Sequence, residues 1–90
     1  MISRNKQFCE TACSVLKAEG FNTAIVWSVN QDAALVQVWR GDHQDRPSKK
    51  FSLVKVSSLE LAENEEAGLD DLARLRAKNA IATYNEALDN

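Results

Sequence analysis

The chain has 90 residues, of which 44% are apolar and 27% are charged, and its formal net charge is −2. These values are typical of a folded domain and exclude a disordered chain, so the length predicts one domain, residues 1–90, with a modest core. The longest apolar runs have four residues, far short of the ~20 that cross a bilayer, and no apolar run follows the first basic residues. We therefore expect a cytoplasmic protein without a membrane segment or a secretion signal.

Residues 21–40, FNTAIVWSVNQDAALVQVWR, are typical of a β-hairpin and contain many of the large apolar residues. Side chains two positions apart share a face of a strand. A loop with an even number of residues puts Trp27 opposite Val36 and Ile25 opposite Val38, which makes one face fully apolar. The pattern therefore predicts that Ile25 and Trp27 are buried beneath the helices.

The opposite face of the hairpin is not cleanly polar, because it carries Ala24, Val26, Leu35 and Trp39. One interpretation is that the C-terminal segment or a third strand covers it. The other is that the face is a binding patch, with Trp39 as its apolar anchor, since buried tryptophans dominate the energetics of interfaces.

A helix is predicted before the hairpin, over residues 3–19, where apolar residues recur at helical spacing. Ser3 is a candidate N-cap, and Gly20 is placed to end the helix in a left-handed conformation. Cys9 and Cys13 lie one helical turn apart, where a disulfide fits poorly, so we expect two reduced thiols. With only two cysteines and one histidine in the chain, we expect no metal site.

A polar loop follows the hairpin, and residues 51–57 predict a third strand at the edge of the sheet, with Lys55 protecting that edge. Its alternation slips between Leu53 and Val54, which indicates either a β-bulge or burial on both faces.

The C-terminal third is predicted to be helical. Ser57 and Glu60 have the spacing of a capping box, a break is expected near Gly68, and residues 69–88 form the strongest helical pattern. The predicted fold class is therefore α+β: a two-layer sandwich in the order α-β-β-β-α(α), with a three-stranded antiparallel meander covered by helices on one face.

No phosphate-binding loop, zinc-protease motif or nucleophile elbow occurs in the sequence. We therefore expect a protein that is not an enzyme, needs no cofactor and acts by contact with another protein.

The charge is uneven, with +3 over residues 1–57 and −5 over residues 58–90. No Lys or Arg interrupts the acids of residues 60–71, and an acidic surface can dock on a basic groove that normally holds nucleic acid. Small phage-encoded inhibitors of host enzymes resemble this chain in general character, because they too are short, compact, acidic and without motifs. We therefore expect a phage-type inhibitor of a nucleic-acid-handling enzyme as one form of the function. The predicted partner-binding residues are Trp39, Leu35, Glu60, Glu63, Glu65, Glu66, Asp70 and Asp71.

The alternative is a nucleic-acid-binding module, because the α-β-β-β-α order resembles the double-stranded-RNA-binding domain. That family has a basic cluster at the start of its last helix, whereas residues 63–71 here are acidic, so the resemblance covers topology alone. A weaker form of this hypothesis does not need that cluster. In it, cations of the polar loop and the third strand line a track that binds the phosphates of a nucleic acid. These cations are Arg40, Arg46, Lys49, Lys50 and Lys55. The sequence leaves a homodimer open.

Overall fold

The computed structural model describes residues 4–41 and 51–88. Three strands form one antiparallel sheet in the order β1-β2-β3, and the helices pack against it. The predicted α+β class, element order and meander are therefore confirmed. The elements are α1 (Arg4–Ala18), β1 (Asn22–Ser28), β2 (Ala33–Trp39), β3 (Ser52–Ser57), α2 (Ser58–Glu63) and α3 (Glu66–Leu88).

The core lies between the sheet and the long helices α1 and α3. Val36 of β2 pairs with Val54 of β3, and both side chains are fully buried. The even-numbered residues of these two strands therefore point towards the helices. The helices contribute apolar faces at helical spacing, which is why the amphipathic pattern predicted them. The largest fully buried side chains are Phe8, Leu16, Val36, Val38, Val54, Val56 and Leu69.

The hairpin has the predicted parity but a different register. Trp27 pairs with Ala34 instead of Val36, and the loop is residues 29–32. Hydrophobic alternation fixes parity only, because side chains repeat with period two. The offset is set by the turn, where the Gln31 backbone N–H donates to the Ser28 hydroxyl at 3.3 Å.

The predicted burial of Ile25 and Trp27 is wrong, and Trp39, whose burial the sequence left open, is covered. Trp27 is 42% exposed and Ile25 is 54% exposed, whereas Trp39 is only 7% exposed. Ile25 and Trp27 do lie on the helix side of the sheet, but β1 is an edge strand and α1 leaves its outer side open. Trp39 lies at the end of the central strand and joins the core cluster.

The slip in the alternation of β3 comes from neither a bulge nor burial on both faces. Pairing with β2 runs without interruption from Ser52 to Ser57. Phe51 and Leu53 are exposed, while the even-numbered residues are buried. The strand is thus regular, and its odd-numbered apolar side chains face away from the helices. Its predicted place at the edge of the sheet is confirmed.

The turn from α1 into β1 is confirmed at Gly20, which has φ +84°. Two backbone bonds close the helix: the N–H of Phe21 donates to Leu16 at 3.0 Å, and that of Gly20 donates to Lys17 at 3.0 Å. This is the Schellman arrangement, which favours glycine at the left-handed position. The predicted cap at Ser3 lies outside the described residues.

The helical break falls before the predicted position. The capping box of Ser57 and Glu60 is confirmed, but α2 ends at Glu63 with Asn64 as its C-cap, and Gly68 lies inside the first turn of α3. The side-chain amide of Asn64 donates to the carbonyl of Glu60 at 2.7 Å, which closes α2. The break between α2 and α3 is therefore made by the side-chain amide of Asn64 and not by Gly68.

Both cysteines are free, and both are buried. The pKa of the Cys9 thiol is raised to about 11, mainly by burial and to a smaller extent by the neighbouring Cys13. Within the described ranges, no helix is at once long and apolar enough to cross a membrane. Nor do three metal-ligating side chains come together in those ranges.

Candidate interaction surfaces

The first candidate surface is the side of the sheet that α1 and α3 leave uncovered, which we call the open face. Its two central rows are Ala24–Gln37–Leu53 and Val26–Leu35–Lys55, since paired residues share a side. Val26 is 47% exposed and Leu53 is 45% exposed, and the partly buried Leu35 lies on the central strand between β1 and β3. Phe51, two residues before Leu53 and just outside β3, is also exposed. The centre of this face is thus largely apolar.

Trp39 belongs to the open face by its position in β2, but it is buried. Its indole N–H has no hydrogen-bond partner among the described residues. The exposed apolar anchor that the sequence predicted is therefore absent at this position, and Val26, Leu53 and Phe51 present the accessible apolar area instead.

The acidic residues of 60–71 are partly neutralised by cations from elsewhere in the chain. The carboxylate of Glu60 accepts two hydrogen bonds from the guanidinium of Arg76. It also accepts from the backbone N–H of Ser57 at 3.2 Å. The Arg76 hydrogen bond is the main cause that lowers the pKa of Glu60 from its ordinary 4.5 to about 2. Because Arg76 also donates to the carbonyl of Lys55 at 2.7 Å, this pair joins β3, α2 and α3.

Asp70 is also engaged within the fold. Its carboxylate accepts from the hydroxyl of Thr11 at 2.9 Å and from the amide of Gln7 at 3.2 Å, which ties α1 to α3. The Thr11 hydrogen bond is the main cause that lowers the pKa of Asp70. Its neighbour Asp71 forms an exposed ion pair with Arg74 at 3.3 Å.

The remaining acids, Glu63, Glu65 and Glu66, are exposed at the junction of α2 and α3. We call them the acidic junction. The guanidinium of Arg4 lies close by, donating to the carbonyls of Leu61 at 3.0 Å and Ala62 at 2.9 Å. Sequence reasoning missed the pairing of Glu60 with Arg76 because the two residues are 16 positions apart in the chain.

The two halves of the predicted partner-binding set do not form one surface. Trp39 pairs with Asn22 at one end of β2, whereas Ala33 at the other end pairs with Ser57, where α2 begins. Seven residues of strand separate these ends by about 20 Å. The acidic junction therefore lies away from Trp39, and only Leu35 of the predicted set lies at the centre of the open face.

Of the five cations predicted to bind phosphates, the structure describes two, Arg40 and Lys55. The guanidinium of Arg40 lies 4.1 Å from the ring centre of Phe21, and its backbone N–H donates to the hydroxyl of Tyr84 at 3.3 Å. Lys55 is exposed on the open face. Arg46, Lys49 and Lys50 lie outside the described residues. Arg40 therefore has a structural contact of its own, and Lys55 is the more accessible cation.

Sequence reasoning missed a further surface at the outer edge of β1. Ile25 and Trp27 are exposed there beside an open groove of about 520 Å³. The groove is lined by residues of α1 and β1: Glu10, Cys13, Ser14, Lys17, Thr23 and Ile25. One signal in the sequence could have revealed it, because no charged residue or proline occurs from residue 22 to residue 29, and unprotected edge strands are rare in soluble monomers.

Comparisons with protein-family models, with curated protein sequences and with solved structures returned no match to this chain. The candidate surfaces therefore carry the functional argument alone.

Proposed function

We propose that this chain is a non-enzymatic module that acts by direct contact with another protein through its open face. The observation that carries the proposal is the apolar centre of that face, with Val26 and Leu53 each nearly half exposed. An antiparallel sheet with one solvated side is normally polar on that side. Clustered apolar side chains on an otherwise polar surface are typical of interaction sites.

The size of the apolar contribution can be judged from the exposed fractions. Full burial of a large apolar side chain is worth about 1.5–3 kcal/mol, so completing the burial of a half-exposed one is worth roughly 1 kcal/mol. Val26, Leu53 and Phe51 together would supply roughly 3 kcal/mol before the costs of association. Lys55 lies among them and would favour an acidic or carbonyl group on the partner.

Inhibition of a nucleic-acid-handling enzyme is the more specific form of this proposal, and it depends on the acidic junction. Among the acids of residues 60–71, Glu63, Glu65 and Glu66 are the ones that remain exposed without an ion pair to a described cation. Their field would mainly guide association, since exposed charges change on-rates more than affinity. Changing all three to Lys should slow association with such an enzyme and leave the open-face contact in place.

The test is affinity capture from a lysate of the source organism with matched variants. Leu53→Gln changes the open face, and Leu75→Gln changes an apolar side chain of similar exposure on α3. We expect wild type and Leu75→Gln to retain a partner that Leu53→Gln loses. Equal capture by all three would exclude the open face as the contact.

Titration of the protein with duplex RNA and with single-stranded DNA, each at two salt concentrations, distinguishes nucleic-acid binding from protein binding. Phosphate contacts make affinity fall steeply with salt. Salt-dependent binding that is lost in Lys55→Gln and kept in Leu53→Gln would replace protein binding with nucleic-acid binding as the function.

A further inference from the structure

Among the residues that the structure describes, no strand pairs with the outer edge of β1. The carbonyl of Lys55 bonds to Arg76 of α3, so odd-numbered residues of β3 point their backbone groups away from β2. Backbone groups alternate along an antiparallel strand. Lys55 pairs with Leu35, so the backbone groups of Leu35 point towards β1 and bond to its partner Val26. The residues of β1 on the other parity, Thr23, Ile25 and Trp27, therefore direct their backbone N–H and C=O groups outwards at the free edge.

The opposite edge of the sheet is protected, and β1 is not. On β3 the Lys55 carbonyl is bonded by Arg76, and the Ser57 N–H is bonded by Glu60. Strand β1 has neither charge nor proline, and Ile25 and Trp27 are exposed along it. Such an edge is a template for pairing with another strand.

We propose that β1 pairs antiparallel with β1 of a second copy of this chain, which forms a continuous six-stranded sheet about a twofold axis at Ile25. Pairing of the whole strand Asn22–Ser28 with itself places Ile25 opposite Ile25 and Thr23 opposite Trp27. This register brings odd-numbered residues together, and these are the residues whose backbone groups point outwards.

The side chains are complementary in the same register. Trp27 of the second copy lies opposite Thr23, which lines the groove beside α1. The groove volume of about 520 Å³ accommodates an indole, and Lys17 on its wall is placed to contact the ring face. No like charges meet along the strands, because β1 has no charged residue.

A second copy fits this edge better than an unrelated strand. The exposed Trp27 and the Thr23 that lines the groove lie symmetrically about Ile25, so each copy supplies the indole and receives one. A twofold contact requires this self-complementarity. An unrelated strand would have to carry an aromatic residue at the matching position. In the proposed dimer both open faces lie on the same side of the sheet.

Sedimentation velocity over a wide concentration series tests the dimer. We expect the wild-type mass to rise from 10.0 kDa towards twice that value. Ile25→Lys would place two cations opposite each other on the axis and should keep the chain monomeric. The matched control Leu59→Lys changes an exposed apolar residue of α2 and should dimerise like wild type. A wild type that stays monomeric, or an Ile25→Lys variant that dimerises normally, would overturn the proposal.

A second variant covers the case in which Ile25→Lys fails to fold. Hydrogen-bonded antiparallel pairs have Cα atoms about 5.5 Å apart, within disulfide range. Ile25→Cys should therefore form a covalent dimer under mild oxidation, many times faster than Leu59→Cys. Equal rates of cross-linking for the two variants would contradict pairing through β1.

Discussion

Replacing Glu60 by Gln isolates the ion pair that joins β3, α2 and α3. Glutamine is acceptable at this position of a capping box, so the hydrogen bond to the backbone of Ser57 can persist. The charge that accepts from Arg76 is removed. The variant therefore tests how far this electrostatic contact stabilises the C-terminal half of the fold.

The magnitude follows from the pKa of Glu60. Lowering it from 4.5 to about 2 corresponds to roughly 3 kcal/mol at 1.36 kcal/mol per pH unit. Both side chains are 31% exposed, so solvent screening reduces this value towards that of a surface pair. We expect Glu60→Gln to lower the free energy of unfolding by about 1–2 kcal/mol at pH 7.

The same pair predicts a pH dependence. Because the folded-state pKa of Glu60 lies below its ordinary 4.5, the stabilisation is complete above that value and is lost as the pH falls from about 5 towards 2. Urea unfolding followed by circular dichroism, with wild type and variant compared at each pH, cancels the contribution of other carboxylates. A difference between wild type and variant that stays constant from pH 7 to pH 2.5 would refute the reasoning.

Three further predictions concern burial and backbone conformation. At low protein concentration Trp27→Ala should cost about 1–2 kcal/mol of stability and Trp39→Ala about 3–5 kcal/mol, and the reverse order in urea unfolding would contradict their exposures. Gly20→Ala should cost about 1–2 kcal/mol because of its positive φ, and an unchanged melting temperature would argue against that conformation. At pH 8 the Cys9 thiol should react with iodoacetamide slowly in the native protein and rapidly in urea; equal rates would exclude its burial.

Local signals in the sequence predicted most of the fold. Helical spacing, the glycine after α1 and the capping box of Ser57 and Glu60 all act within a few residues, so a single sequence carries them. The sequence predicted which residues of the hairpin share a face but not which residues pair, because the hydrophobic pattern repeats every two residues. The exposure of Trp27 was missed because it depends on where α1 lies across the sheet.

The candidate surfaces were predicted less well, for a physical reason. No Lys or Arg lies among the acids of residues 60–71 in the sequence, but Arg76 and Thr11 reach two of these acids after folding. Charge patterns along a chain do not reveal such distant partners. The open face was recognisable from Val26 and Leu35, but the sequence left open whether Trp39 is covered or exposed.

The most direct test of the central claim is amide hydrogen exchange of this chain, free and bound to the protein that it captures. Contact through the open face predicts slower exchange in the strands around Val26, Leu35 and Leu53, with little change at residues 63–66. Slower exchange confined to the acidic junction, with the strands unchanged, would contradict the account.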